Sequence, residues 1–162
     1  MRPTVSLLFS HPAHFISLGF GSGLAPKAPG TVGSFVAWGI WALVFAWLPW
    51  PSEWALTAFL VLAFLLGSVC IARTGAALGE VDHGGIVWDE FVAVWLVLAC
   101  LPATFVWQLA GVLVFRVFDI AKPWPIRQAD ARFKNGLGVM FDDVLAAGYT
   151  LLILLPLRNW LA

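Results

Sequence analysis

A chain of 162 residues that is 61% hydrophobic and 11% charged, with ten tryptophans and no net charge, is not an ordinary water-soluble globule, which carries about 25% charged residues. Zero net charge also removes the electrostatic basis for a nucleic-acid partner. The length suits one domain over residues 1–162, and at about 20 apolar residues per helical span it allows roughly four to six membrane crossings and no separate soluble catalytic unit.

The N-terminal stretch to Ser22 holds Arg2, His11 and His14 amid short apolar runs. It lacks a continuous apolar core, so no removable signal peptide is predicted, and the part up to Leu18 reads as an interfacial segment. Beyond the glycine-rich loop that follows, charges mark out the spans: none falls between Lys27 and Glu53, Glu53 and Arg73, Glu90 and Arg116, or Asp143 and Arg158. The first gap predicts a helix over 33–48, stopped by Pro49-Trp50-Pro51, and the second a helix over 54–72 that returns as a hairpin. Cys70 and Cys100 lie inside apolar runs and indicate neither a disulfide nor a thiol nucleophile. The third gap contains Leu101-Pro102-Ala103-Thr104, which is either a kink in one helix or a tight turn between helices over 86–101 and 104–118. A last helix is expected over 137–157.

The turn is preferred because it sorts the charges. With about five crossings, Arg2, Lys27, Arg73, Arg116, Lys122, Arg127, Arg132 and Lys134 share one side and only Arg158 lies opposite. A kinked helix would divide the basic residues and separate Asp89 from Asp119. The expectation is an all-α polytopic membrane protein with a short hairpin around Pro102 and, by the positive-inside bias, its charged loops in the cytoplasm. Glu80, Asp82, Asp89, Glu90, Asp119, Asp130, Asp142 and Asp143 fall on that same face, with Glu53 alone opposite. Of these, Asp89, Glu90, Asp119, Asp142 and Asp143 abut or enter apolar spans, where an ionised carboxylate is costly unless paired or metal-bound.

Four constellations carry chemistry. The loop from Gly19 through Gly21-Ser22-Gly23 to Lys27 and Gly30-Thr31-Val32-Gly33-Ser34 runs into a helix, so its amides, with Thr31 or Ser34 as cap and Lys27 as charge partner, suit a phosphate; equally, proline and glycine shape many surface loops. Val87-Trp88-Asp89-Glu90-Phe91 sets two carboxylates at a helix start, a place for hard oxygen ligands to a divalent cation or simply for acids favoured by the helix dipole. Arg116, Asp119 and Lys122 recur every three residues and share a helical face, as phosphate contacts or as an ion-pair ladder; Pro123 and Pro125 then predict an extended segment that brings Arg127 back to the membrane surface. Finally, Asn135-Gly136-Leu137-Gly138 precedes a helix bearing Asp142-Asp143 beyond its first turn, a pair that calls for a counter-ion or, as the alternative, is stabilised by the helix dipole. Carboxylates, cations and two anion-cradling loops on one face are what Mg²⁺-assisted phosphoryl transfer needs. His83 is a further candidate acid, though a loop histidine is more often merely solvated.

In combination and order these motifs resemble the bacterial phosphatidylglycerophosphatase A family over roughly residues 19–148, through Gly21-Ser22-Gly23-Leu24-Ala25-Pro26, Ala28-Pro29-Gly30-Thr31-Val32-Gly33-Ser34, Val87-Trp88-Asp89-Glu90-Phe91, Phe118-Asp119 with Lys122-Pro123-Trp124-Pro125-Ile126-Arg127, and Asp142-Asp143. The resemblance implies a Mg²⁺-dependent enzyme of the bacterial inner membrane that hydrolyses phosphatidylglycerophosphate to phosphatidylglycerol and phosphate. Ala93, Val94 and Asn135 depart from the family pattern without removing a ligand. No Cys with an Arg six residues on, no Ser-Gly-His triplet, no Asp-x-Asp motif and no spaced aspartates of the CDP-alcohol phosphotransferase kind support another phosphoryl chemistry. Asp89, Glu90, Asp142 and Asp143 are the candidates for metal ligation or water activation, with Asp119 next; Lys27, Thr31, Lys122 and Arg127 are the candidate phosphate contacts. A small transporter or channel using intramembrane acids is the alternative, but it would need ionisable groups through the depth of the spans.

Overall fold

The computed structural model describes residues 2–49, 51–124, 126–128 and 134–161; Trp50, Pro125, Asp130 and Arg132, named above, lie outside them. Among the described residues the chain is helical with no strand: α1 (Val5–Ser10), α2 (Pro12–Ser17), a 3-10 segment (Gly19–Leu24), α3 (Pro29–Trp47), α4 (Glu53–Leu78), α5 (Trp88–Cys100), α6 (Phe105–Ala121) and α7 (Gly136–Leu161). Two of these, α4 and α7, each 26 residues, have the length and hydropathy of a membrane span. At about 1.5 Å per residue, α5 reaches only about 20 Å.

Helix ends follow local chemistry more closely than charge. α3 begins at Pro29, whose missing N–H costs nothing at a first helical position, after Ala28 in the left-handed region at φ 47°. The expectation that Thr31 or Ser34 caps this helix is therefore corrected: Ala28 holds the cap position, three residues before Thr31, and Ser34 Oγ instead donates back to Gly30 O at 2.9 Å. In α4, Ser52 Oγ accepts the Ala55 N–H at 3.2 Å. That helix continues past Arg73 until Gly79, at φ 82°, closes it.

Around Leu101-Pro102 the chain turns rather than kinks, giving two helices. A side chain at Gly111 of α6 would stand 2.8 Å from Leu101 Cδ1 and 3.0 Å from Val97 Cγ1 of α5, so the two pack closely. The other contacts fix directions. Trp88 Nε1 donates to Ala63 O, and Trp95 packs at an angle against Phe59, so α4 and α5 are antiparallel. Gly136 meets Ser68 while Gly67 meets Met140, so α4 and α7 are antiparallel as well.

α5 is the core helix: ten of its thirteen residues are buried, with Phe91, Ala93, Val94 and Val97 fully so. Burying each such large apolar side chain contributes about 1.5–3 kcal/mol. α4 meets its neighbours through small residues, Ala63, Gly67 and Gly75 at four- and eight-residue spacing, which lets backbones approach. Outward-facing positions are apolar: Leu43, Leu62, Val69 and Leu152 are at least 65% exposed, and Trp47, Trp54 and Trp160 gather at one end. α2 docks on α4, where His14 Nδ1 meets Thr74 Oγ1 at 2.9 Å. Burial, helped by the charges of His11 and Arg73, holds His14 below its ordinary pKa of 6.5.

Candidate active site

The end of the bundle opposite those tryptophans is where the charged side chains meet. Val87 N–H donates to Ser17 O at 2.9 Å and the Trp88 indole anchors to α4, so the first turn of α5 is held from two sides, and Asp89 and Glu90 in it are buried, each 8% exposed. On α7, Asn135 Oδ1 accepts the Gly138 N–H at 2.8 Å as a cap. At Gly136 a side chain would run into Ser68 O, so only glycine permits this helix crossing. Asp142 and Asp143 follow in the second turn, 3% exposed.

Consecutive helical residues point about 100° apart, and the two aspartates part accordingly. Asp143 joins Asp89 and Glu90: one oxygen from each of the three lies within 4.8 Å of the others. Asp142 instead accepts from Lys122 Nζ of α6 at 2.6 Å. Asp119, half-buried on α6, lies against Asp143 and pairs with Arg116, whose Nη1 also reaches Glu90 Oε1 at 3.5 Å. α3 closes the site at its N-terminus: a side chain at Gly30 would collide with Glu90 Oε1 and stand 3.2 Å from both terminal nitrogens of Arg116.

Among the described residues five carboxylates thus face two cations, an excess of negative charge in a buried layer. Asp89 Oδ1, Glu90 Oε2 and Asp143 Oδ2 are buried without a hydrogen-bond partner among the described residues. Leaving such groups unsatisfied costs about 1–3 kcal/mol apiece, more when charged. Hard, buried oxygens from two helices, converging without partners, fit a divalent cation.

The candidate phosphate contacts are dispersed around this layer. Lys122 closes α6 in the left-handed region at φ 39°. The chain after it does not extend, correcting the expectation drawn from Pro123 and Pro125: Ile126 N–H donates to Pro123 O at 2.8 Å, and the resulting turn buries Ile126 fully. Lys122, Trp124, Arg127 and Gln128 line an open cavity of about 590 Å³ there, with Arg127 on its exposed rim. Thr31 is half-buried next to Gly30, and Lys27 is exposed at the end of the glycine-rich loop. His83 is occupied in its own turn, Nδ1 accepting from Gly85 N–H at 3.0 Å. The three-residue spacing of Arg116 to Asp119 signals their pairing but leaves Arg116 open as phosphate contact or ion-pair rung, whereas nothing local announces Gly30's contact with α5.

The family model described as Phosphatidylglycerophosphatase A matches residues 15–158, which take in every residue of this layer. The chain belongs to the phosphatidylglycerophosphatase A family. It is 43% identical over 161 residues to the phosphatidylglycerophosphatase A of Haemophilus influenzae, covering 99% of this chain and 97% of that one. To the Escherichia coli K12 phosphatidylglycerophosphatase A it is 41% identical over 141 residues, 86% of this chain and 80% of the relative. A Bacteroides thetaiotaomicron relative, provisionally named a phosphatidylinositol-3-phosphatase, is 38% identical over 148 residues, 90% and 92% of the two chains. No solved structure matches the chain significantly.

Proposed function

We propose that this protein is a Mg²⁺-dependent lipid phosphatase that hydrolyses phosphatidylglycerophosphate to phosphatidylglycerol and phosphate, residues 1–162 acting as one domain. The observation that carries the reading is the convergence of Asp89, Glu90 and Asp143, buried and with an unpartnered oxygen on each. Its substrate comes from the two relatives named phosphatidylglycerophosphatase A. Asp89, Glu90 and Asp143 would hold the cation, with Asp142 behind them fixing Lys122. When bound, a divalent cation neutralises phosphate charge and acidifies water.

The remaining roles belong to the chain's own groups. Lys122, anchored by Asp142, donates to a phosphate oxygen; Arg127 at the cavity rim and Lys27 with Thr31 at the start of α3 hold the headgroup. Water adds at phosphorus as the bond to the glycerol oxygen breaks. Asp119 takes the water's proton and returns it to the departing glycerol oxygen, so that base and acid are one group and the proton count closes. The transporter alternative is not favoured: the buried acids among the described residues sit at one end of the bundle, and the Trp38–Gln108 contact away from that end is neutral.

We place α3 to α7 as five spans of the bacterial inner membrane, with the acidic end in the cytoplasm, on the one-sided basic residues and the exposed apolar girdle. A cysteine at Ala103 should then react only with reagent added from the periplasm and one at Gly84 only from the cytoplasm; reaction of both from one side contradicts the arrangement. For the activity, purified protein should release phosphate from phosphatidylglycerophosphate in Mg²⁺, stop in excess EDTA and resume when Mg²⁺ is restored. Faster release from phosphatidylinositol 3-phosphate would move the substrate assignment to the other relative's headgroup, and release unaffected by EDTA would refute the metal.

A further inference from the structure

Arg116 makes both of its carboxylate contacts through one nitrogen: Nη1 reaches Glu90 Oε1 and Asp119 Oδ2. The other edge of the guanidinium, formed by Nε and Nη2, presents two parallel N–H groups. Its Nε is buried without an acceptor among the described residues. α3 closes against this guanidinium, since both terminal nitrogens lie 3.2 Å from where a Gly30 side chain would begin. The first intrahelical bond of that helix is donated by Val32 to Ala28 O at 3.1 Å, so the Gly30 and Thr31 N–H groups precede it and are the orphan donors of the helix start. A charged fork beside a helix N-terminus matches two oxygens of a tetrahedral oxyanion.

We infer that Arg116 is a catalytic residue whose Nε–Nη2 edge grips two oxygens of the transferring phosphoryl group while Nη1 holds Glu90 and Asp119. The inference rests on the phosphomonoester substrate proposed above and adds to it a residue whose sequence spacing alone leaves open whether it is a phosphate contact or an ion-pair rung. Charge accumulates on the phosphoryl oxygens as the ester bond breaks, and a guanidinium already fixed by two carboxylates meets it without reorganising. Lysine supplies the same charge as a point and cannot serve both edges.

The test is Arg116→Lys in the full chain, purified in detergent, with two readouts. Turnover of phosphatidylglycerophosphate should fall about 10²-fold or more. Affinity for inorganic phosphate in the presence of Mg²⁺, measured by titration calorimetry, should weaken at least about tenfold, while the Mg²⁺ concentration for half-maximal activity stays near the parent value. Unchanged phosphate affinity, or no phosphate binding by the parent, overturns the inference. So does a defect confined to Mg²⁺ activation, which marks a group that only balances charge. A parent that binds phosphate through Arg116 but leaves the lipid intact refutes the substrate reading and not this one. If the lysine variant does not accumulate, Arg116→Ala with added methylguanidinium decides: recovery by methylguanidinium and not by methylammonium supports the clamp, and equal recovery or none contradicts it.

Discussion

In its C-terminal half α5 presents Trp95, which packs at an angle against Phe59 and donates its indole N–H to Ala37 O at 3.0 Å. At its N-terminal end, about one and a half helical turns away, it presents Asp89 and Glu90, each with a buried oxygen lacking a partner among the described residues. Beside Trp95 an apolar cavity of about 330 Å³ lies between α3 and α4, among Trp41, Phe45 and Leu56. The far end is satisfied by dispersion and a hydrogen bond, so what it contributes is stability. The near end concentrates like charges in excess of the cations among the described residues, a cost that persists only where ligand binding or catalysis offsets it. One helix therefore joins a region that holds the fold to one that strains it.

Separating those two contributions gives the largest expected effect. Asp143→Asn, Asp89→Asn and Glu90→Gln keep shape and remove charge, and each should lower turnover about 10²- to 10⁴-fold. Unfolding midpoints measured in EDTA should hold or rise, because a repelling buried charge is gone. A loss of activity that merely tracks a lower midpoint would break the comparison. At the opposite end, Trp95→Ala should cost about 3–5 kcal/mol of stability and leave turnover per folded molecule within a fewfold. Detergent unfolding and specific activity on the same sample check this; an activity loss as deep as that of the carboxylate variants would mean the two ends are not separable.

Much of the bundle was legible because charge is scarce: the gaps from Lys27 to Glu53, Glu53 to Arg73 and Asp143 to Arg158 each enclose most of one helix. Where reading and structure part, the reason is local. Charge marks where a chain leaves an apolar layer, not where a helix stops, so α4 runs on past Arg73 to the stop at Gly79. A helix start is set by backbone geometry, and Pro29 after a left-handed Ala28 outranked the hydroxyls of Thr31 and Ser34. Of the site, the acids and Lys122 stand out by type and position. That Asp142 and Asp143 serve different neighbours follows from helical period, but which neighbour each meets depends on how α7 crosses α4 at Gly136 and faces α6, a tertiary fact. Gly30's contact with Glu90 and Arg116 is of the same kind.

The central claim is that Asp89, Glu90 and Asp143 form a divalent-cation site and Asp142 a support beside it. Titration of the purified protein with Mn²⁺, followed by electron paramagnetic resonance, tests this without any assumption about substrate. The parent should bind the ion and release it to Mg²⁺ in competition; Asp89→Asn, Glu90→Gln and Asp143→Asn should each weaken binding by about tenfold or more, and Asp142→Asn should change it least. Parent-like Mn²⁺ binding in all three variants of the trio, or none in the parent, would contradict the account.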